Sequence, residues 1–168
     1  MPHFESFTID EVLFYHTGIL VQSDEIRMDG VLNQSSLEAA LAAPDLTFNK
    51  QEIYPGTVTK IGALMFEIIT LHPFIEGNKR TGFLLADMLM IMNGRIMTGT
   101  DDERTAIAMS VARLETDRDA LITWLEEHSF LLIDENMYYG MSMSDIAVDV
   151  FKDPAGSGRR SRKGKRRQ

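Results

Sequence analysis

The chain of 168 residues contains no cysteine, which excludes several kinds of chemistry before any motif is considered. Without thiols there is no disulfide framework, no thiolate nucleophile and no sulfur-ligated zinc site. Long apolar runs are also missing, since the longest, residues 83–92, is too short to span a bilayer and contains Asp87. The start, Met1 to Glu5, lacks the basic and apolar regions of a secretory signal. We therefore expect a soluble protein of a reducing cytoplasm, with no membrane partner.

Basic residues are scarce outside the last ten positions. Seven of the 17 lysines and arginines lie in residues 159–168, which leaves ten basic against 25 acidic residues, or −15, for residues 1–158. A body of this charge repels nucleic-acid phosphates, so we expect no nucleic-acid contact by the folded part. The basic tail is the one segment suited to RNA, a ribosome or an acidic partner, although such runs are usually solvated and disordered.

Apolar residues that recur at helical spacing indicate an all-α domain. Helix-start signals occur at Thr8 with Glu11, Ser35 with Glu38, Thr100 with Glu103, and Asp117. Residues 45–54 have no clean period and are compatible with a small β-hairpin. The predicted helices are 9–20, 36–43, 56–70, a helix capped by Asn78 and ended by Asn93-Gly94, 101–113, and one that starts at Asp117.

The most informative segment is the run His72-Pro73-Phe74-Ile75-Glu76-Gly77-Asn78-Lys79-Arg80. Pro73 cannot continue the preceding helix, so residues 72–77 are predicted to form a loop before the next helix begins. The free N–H groups and the dipole at that helix start favour an anion. The loop is therefore predicted to be a phosphate cradle, and it differs from the GxxxxGK(S/T) and GxGxxG loops, neither of which occurs in the chain.

The polar side chains of this segment suit the transfer of a phosphate-containing group. Lys79 and Arg80 supply positive charge, and a guanidinium can bind two phosphate oxygens at once. Glu76 is the candidate ligand for Mg²⁺, which commonly takes one or two protein carboxylates and completes its shell with water and phosphate oxygens. His72 is the candidate general base, because a neutral imidazole can take a proton from an attacking hydroxyl.

Several nearby residues are given structural rather than chemical tasks. We expect Phe74 to be a buried anchor, Thr81 to lie on a helix surface, and Asp87 to partner a buried cation or water. His16 and His128 have no companions that suggest chemistry, so they are predicted to be core or capping residues.

The nine-residue run resembles the signature of the Fic/Doc superfamily, HPFx(D/E)GN(G/K)R, with lysine at the variable position as in the death-on-curing (Doc) branch. Residues 29–44, Ile53-Tyr54-Pro55 and Asn93-Gly94 are similar to family segments as well, and the resemblance covers roughly residues 6–128. It implies an all-α Fido helical bundle of about six core helices with a small hairpin flap, over residues 1–130 of this chain. A partly helical extension over 131–152 and a linker with a disordered basic tail over 153–168 are expected to follow.

The resemblance also implies an activity, the transfer of a phosphate-containing group from ATP to a Ser/Thr hydroxyl of a protein. By this resemblance His72 is the base and Glu76 holds Mg²⁺, while Lys79 and Arg80 also assist the transfer. The flap, within residues 46–54, would hold the target segment by main-chain pairing. The implied nucleotide-binding turn consists of Gly77, Asn78, Lys79 and Arg80.

Two positions bear on which group is transferred. AMP transferases of the Fic type resemble HxFx(D/E)GNGRxxR, whereas this chain has Lys79 and Phe83 at the second glycine and the last arginine. Lysine fills an anion hole and phenylalanine cannot bind phosphate. Both departures favour a reversed nucleotide and a Doc-like kinase toxin, whose implied target resembles translation elongation factor Tu.

Other interpretations stay open on the sequence. They are AMP or other nucleotidyl transfer, a catalytically silent regulator that senses nucleotide, and a magnesium-dependent phosphohydrolase, which usually needs more carboxylates. No inhibitory (S/T)xxxE(G/N) motif occurs in the chain. The resemblance therefore implies an antitoxin that binds in trans, with a disordered end that folds onto the toxin.

Overall fold

The computed structural model describes residues 4–22 and 30–132, so most of the predicted extension and the whole basic tail, residues 133–168, lie outside the described residues. Within them the predicted all-α bundle is confirmed, and none of its helices is long and apolar enough to cross a membrane. The six helices, named α1 to α6 in order, are Ile9–Gln22, Gln34–Ala42, Thr57–Leu71, Asn78–Met92, Asp101–Ala112 and Arg118–Glu127.

Local capping interactions begin most of these helices where the sequence predicts. The Glu103 carboxylate accepts from the Thr100 N–H at 2.8 Å, which completes the capping box of α5, and Thr8 with Glu11 forms the same box at α1. The predicted box of Ser35 with Glu38 is wrong. Helix α2 starts earlier, because the Asn33 side chain accepts from the Ser36 N–H at 3.0 Å.

The predicted hairpin is present as β1 (Thr47–Phe48) paired antiparallel with β2 (Gln51–Glu52). Its two turn residues, Asn49 and Lys50, have φ values of 50° and 64°, the left-handed pair that a tight two-residue hairpin requires. A short 3₁₀ turn, Ala43–Asp45, links α2 to this hairpin.

A second small sheet was not predicted. Strand β3 (Arg95–Met97) follows α4 and pairs antiparallel with β4 (Ser129–Leu131), which follows α6. Each strand has three residues, too few for a period of two to be recognised in the sequence. Strand β4 also crosses the domain boundary expected at residue 130.

Helix α3 lies at the centre of the core and packs against α2, α4, α5 and α6. Two glycines permit close approach of its neighbours. A Cβ on Gly62 of α3 would lie 2.5 Å from Ile122 Cγ1 of α6, and one on Gly82 of α4 would lie 3.0 Å from Ile69 Cγ1 of α3. The close packing of α3 and α4 fixes both ends of the loop that joins them.

Asp87 has the buried cationic partner that the sequence predicts. Arg104 Nη1 of α5 donates to Asp87 Oδ2 of α4 at 2.7 Å, and Arg104 also donates to the carbonyl oxygens of Gly99 and Met97. Burial raises the pKa of Asp87 from 3.8 to about 6, because desolvation outweighs the opposing effect of Arg104. This ion pair joins α5 to the second half of α4, away from the loop that precedes α4.

Candidate active site

The nine-residue segment forms the predicted loop between α3 and α4. His72 leaves the helical conformation with φ 48° and ψ 57°, and Pro73 cannot donate to continue α3. At the other end Gly77, with φ 76°, is the N-cap of α4. The prediction that Asn78 caps this helix is therefore wrong, since Asn78 is its first residue.

The side chain of Asn78 braces the loop instead. It is 7% exposed, its Oδ1 accepts from the Phe74 N–H at 3.0 Å, and its Nδ2 donates to the Phe74 carbonyl oxygen at 2.9 Å. The main-chain N–H and carbonyl of the buried Phe74 are thus both hydrogen-bonded by the Asn78 side-chain amide. Any contact between Asn78 and a nucleotide is left to its main-chain N–H.

The segment of residues 30–33 anchors the loop from outside. The N–H groups of Leu32 and Asn33 donate to the Pro73 carbonyl oxygen at 2.7 and 3.1 Å, and Ile75 donates to the Gly30 carbonyl oxygen at 3.2 Å. Because all of these bonds are made by main-chain atoms, they hold the loop backbone whatever its side chains do.

The floor of the loop is built by α1. The ring of Phe74, 1% exposed, stacks on the buried ring of His16 with a centroid distance of 3.8 Å and an interplanar angle of 14°. A hydrogen bond of 2.9 Å joins His16 Nδ1 and Thr81 Oγ1. Phe74 and His16 are thus buried as predicted, whereas the prediction of Thr81 on the helix surface is wrong, because its side chain is fully buried.

His72 is exposed and its ring has a defined tautomer in the neutral form. Its Nδ1 lies 3.1 Å from the carbonyl oxygen of Thr70, which can only accept, so Nδ1 carries the proton. The lone pair of a neutral ring is then on Nε2. Nε2 of His72 is therefore the atom able to take a proton from an incoming hydroxyl.

Two cationic side chains lie at the start of α4, where an anion could bind. Lys79 is exposed, Glu76 and Arg80 are half-buried, and none of the three forms an ion pair with another described residue. The first intrahelical bond of α4 is donated by Thr81 to Gly77 at 2.8 Å. The N–H groups of residues 78–80 thus have no acceptor within the described ranges, as expected of a helix start.

Glu76 is the carboxylate that this loop offers to a cation. Within residues 4–22 and 30–132 no group of three or more His, Cys, Asp or Glu residues is placed to enclose a metal ion. A lone, unpaired carboxylate beside a phosphate-binding turn fits Mg²⁺, because that ion shares its shell with water and nucleotide phosphates.

Phe83 and His128 have packing roles. The half-buried ring of Phe83 meets Trp124 edge to face at 6.2 Å, and Trp124 stacks on His128 at 4.2 Å. His128 Nδ1 also lies 2.8 Å from the carbonyl oxygen of Trp124, at the end of α6. The structural prediction for His128 is therefore confirmed, and the side chain at position 83 points to a neighbouring helix.

The β1–β2 hairpin lies at the far end of α3 from the loop. Glu52 Oε1 accepts at 3.0 Å from Nζ of Lys60, a buried lysine in the first turn of α3 that also donates to the Pro44 carbonyl oxygen at 2.9 Å. His72 comes twelve residues later, about 18 Å along the helix axis at 1.5 Å per residue. The target-holding role of the predicted flap stays a prediction.

Two comparisons with known proteins identify related sequences. A sequence profile described as the Fic/DOC family matches residues 6–90, about half of the chain. Toxin Doc of Mycolicibacterium smegmatis (strain ATCC 700084 / mc(2)155) is 31% identical over 87 residues, which cover 51% of this chain and 67% of that protein. The profile match, over residues 6–90, includes α1, the loop and nearly all of α4.

Proposed function

Because this chain belongs to the Fic/DOC family, we propose that it is a transferase that moves the γ-phosphoryl group of ATP to a Ser/Thr hydroxyl of a protein. The observation that carries the proposal is the exposed His72 ring, whose Nδ1 is hydrogen-bonded to the Thr70 carbonyl oxygen, which leaves the lone pair of the neutral ring on Nε2. The loop that begins at His72 leads into a helix start whose N–H groups and two cations, Lys79 and Arg80, have no partner within residues 4–22 and 30–132.

The reaction needs one proton acceptor and a fixed polyphosphate. As the acceptor oxygen attacks the γ-phosphorus, His72 Nε2 takes the hydroxyl proton, a P–O bond to the protein forms, and the bond to the β-phosphate oxygen breaks to release ADP. The N–H groups of residues 78–80, with Lys79 and Arg80, hold the phosphate oxygens in line. When bound at Glu76, Mg²⁺ supplies charge neutralisation for the phosphates.

Two residues favour phosphoryl over AMP transfer. Lys79 occupies, with an exposed cationic side chain, the position where AMP transferases have a small glycine. Phe83, where those enzymes have a phosphate-binding arginine, is committed to packing on Trp124. A nucleotide bound without that arginine is expected to present its γ-phosphate to His72.

The biological role follows from the relative that is named Toxin Doc. We place the chain as the toxin of a toxin–antitoxin pair in the cytoplasm, with a translation factor resembling elongation factor Tu as its target and an antitoxin that binds in trans. Co-expression with the product of a neighbouring gene is expected to relieve growth arrest. Arrest that no neighbouring product relieves would contradict this role.

The decisive experiment incubates the full chain with a cell lysate, Mg²⁺ and ATP labelled at either the γ or the α phosphate. Label from the γ position alone on a Ser/Thr peptide supports the proposal, whereas label from the α position alone would establish AMP transfer. Label on inorganic phosphate only would indicate a phosphohydrolase. Mass spectrometry of the labelled peptide identifies the target.

The residue assignment is tested by His72→Ala. Loss of a positioned base should slow transfer by about 10²-fold or more. His128→Ala serves as the matched control, because that histidine is packed on α6 and should leave transfer unchanged per folded molecule. Full activity in His72→Ala would refute the assignment of the base. Absence of transfer by the wild-type chain would instead favour a nucleotide-sensing regulator.

A further inference from the structure

The structure assigns a positioning role to a second histidine, His16, acting together with Thr81 beneath the phosphate-binding turn. This inference rests on the proposed function, since it names residues that shape the same nucleotide site. His16 does not touch the reacting atoms. It is 1% exposed and lies on α1, 65 positions from Thr81 in sequence.

The imidazole ring of His16 lies against three residues of the cradle. Its face covers Phe74 of the loop at a centroid distance of 3.8 Å, and its edge bonds to Thr81 in the first turns of α4 at 2.9 Å. Between these two, a Cβ on Gly77 would lie 3.4 Å from His16 Cε1. The ring therefore fills the space directly under the turn from residue 74 to residue 81.

The bond to Thr81 fixes what stacking alone leaves free. A flat ring can slide over Phe74 at little cost, whereas a hydrogen bond to one hydroxyl sets a distance and a direction. Thr81 also donates its N–H to the Gly77 carbonyl at 2.8 Å, so its position defines the turn that presents the N–H groups of residues 78–80. Holding Thr81 thus holds the anion-binding turn.

Such a restraint has a functional consequence because phosphate binding by N–H groups is directional. Donor–acceptor distances of about 2.7–3.2 Å are needed, and bonds weaken steeply when the angle is lost. An apolar residue in place of His16 would fill the same volume without restraining the turn. The pair is therefore expected to improve nucleotide affinity more than it improves the stability of the fold.

The test titrates ATP and Mg²⁺ into the full chain and follows amide hydrogen exchange of residue 81, whose N–H is bonded to the Gly77 carbonyl, without nucleotide. Thr81→Val and His16→Phe remove the bond but keep shape or stacking. Each should weaken ATP binding about fivefold or more and speed this exchange. The double variant should bind no worse than His16→Phe alone, because the bond to Thr81 is already lost in that single variant.

Two matched variants separate positioning from general destabilisation. Thr81→Ser keeps the hydroxyl and should bind ATP within about twofold of the wild type. Thr123→Val removes a hydroxyl that donates to the Asp119 carbonyl within α6, far from the loop, and should leave ATP binding unchanged. Wild-type affinity in Thr81→Val, or a lowered melting temperature with unchanged affinity, would overturn the inference.

The same measurements distinguish failure of the proposed function. Wild-type chain that binds ATP but transfers nothing would refute the function and leave the positioning of the turn supported by the affinities. Wild-type chain that does not bind ATP would refute the function too, and exchange at residue 81 then decides alone. Unchanged exchange in Thr81→Val and His16→Phe would overturn the positioning role.

Discussion

Replacing Asn78 by alanine should abolish transfer by releasing the loop, although the Asn78 side chain is not expected to touch the nucleotide. The change removes the acceptor for the Phe74 N–H and the donor to the Phe74 carbonyl, at 3.0 and 2.9 Å. The N–H and carbonyl groups left behind belong to Phe74, which is 1% exposed, so water cannot easily replace the lost side chain. The freed loop carries His72 and Glu76 with it.

The cost can be estimated from the burial of the groups left behind. An unsatisfied buried donor or acceptor costs roughly 1–3 kcal/mol, so two of them give a loss of about 2–6 kcal/mol. Domains have about 5–15 kcal/mol in total, so the variant is expected to fold at moderate temperature. The loop can then find new partners for the two unsatisfied Phe74 groups only by adopting a different backbone path.

Asn93, at the other end of α4, offers a matched control. Its side chain also bonds to both main-chain groups of one residue, accepting from the Glu5 N–H at 3.0 Å and donating to the Glu5 carbonyl at 3.1 Å, and it donates further to the Leu89 carbonyl of its own helix at 2.8 Å. Glu5 is exposed, so water replaces the lost bonds and Asn93→Ala should cost only about 1 kcal/mol. The two asparagines lie about 22 Å apart along the helix.

The assay combines urea unfolding with transfer of labelled γ-phosphate, measured at a temperature at which each variant is folded. Asn78→Ala should lose transfer by at least about tenfold per folded molecule, while Asn93→Ala keeps it. If Asn78→Ala transfers normally despite its lower stability, the loop geometry does not depend on this amide and the reasoning fails.

Two further predictions concern the scaffold. A raised pKa means that the folded state holds the Asp87 proton more tightly than the unfolded chain, so the stability due to Asp87 falls as the pH rises from about 4 through about 6. Arg104 limits that fall by stabilising the charged carboxylate. Urea unfolding of Arg104→Met should therefore show a loss of about 3 kcal/mol in the free energy of unfolding at pH 8 and a much smaller loss at pH 5. Equal losses at the two pH values would contradict the ion-pair account. Lys60→Met leaves the Pro44 carbonyl and Glu52 without their donor, so it should cost roughly 1–3 kcal/mol and speed amide exchange in the hairpin. Transfer should stay unchanged because Lys60 lies about 18 Å from His72 along α3, and a loss of transfer would show that the hairpin takes part.

Features that depend on a few neighbouring residues could be predicted from the sequence. Thr100 and Glu103 satisfy each other within one turn, and Asp117 accepts from the Ala120 N–H at 2.9 Å, so both helix starts are written locally. The apolar period along α3 similarly requires no knowledge of its partners. At α2 two polar residues compete for the cap, and the sequence does not show that the backbone turns at Asn33 rather than at Ser35.

Features that depend on distant partners could not be predicted. Strands β3 and β4 are brought together by the packing of α4 and α6, with 31 residues between them, and neither has a pattern of its own. Thr81 follows a run of polar residues at a helix start, which favours a surface position. It is buried because α1 supplies His16 above it, a contact that no spacing within α4 reveals.

The motif and its supports differ in what kind of information specifies them. The nine residues identify the chemistry because a base, a carboxylate and two cations are rarely grouped by chance, and those groups act through their side chains. The supports act through main-chain atoms of residues 30–33, which many residue types could provide, and through a buried ring that both stacks on Phe74 and bonds to Thr81. A chain with the same motif but no flat side chain beneath Phe74 would therefore be expected to carry the residues of the site without its geometry.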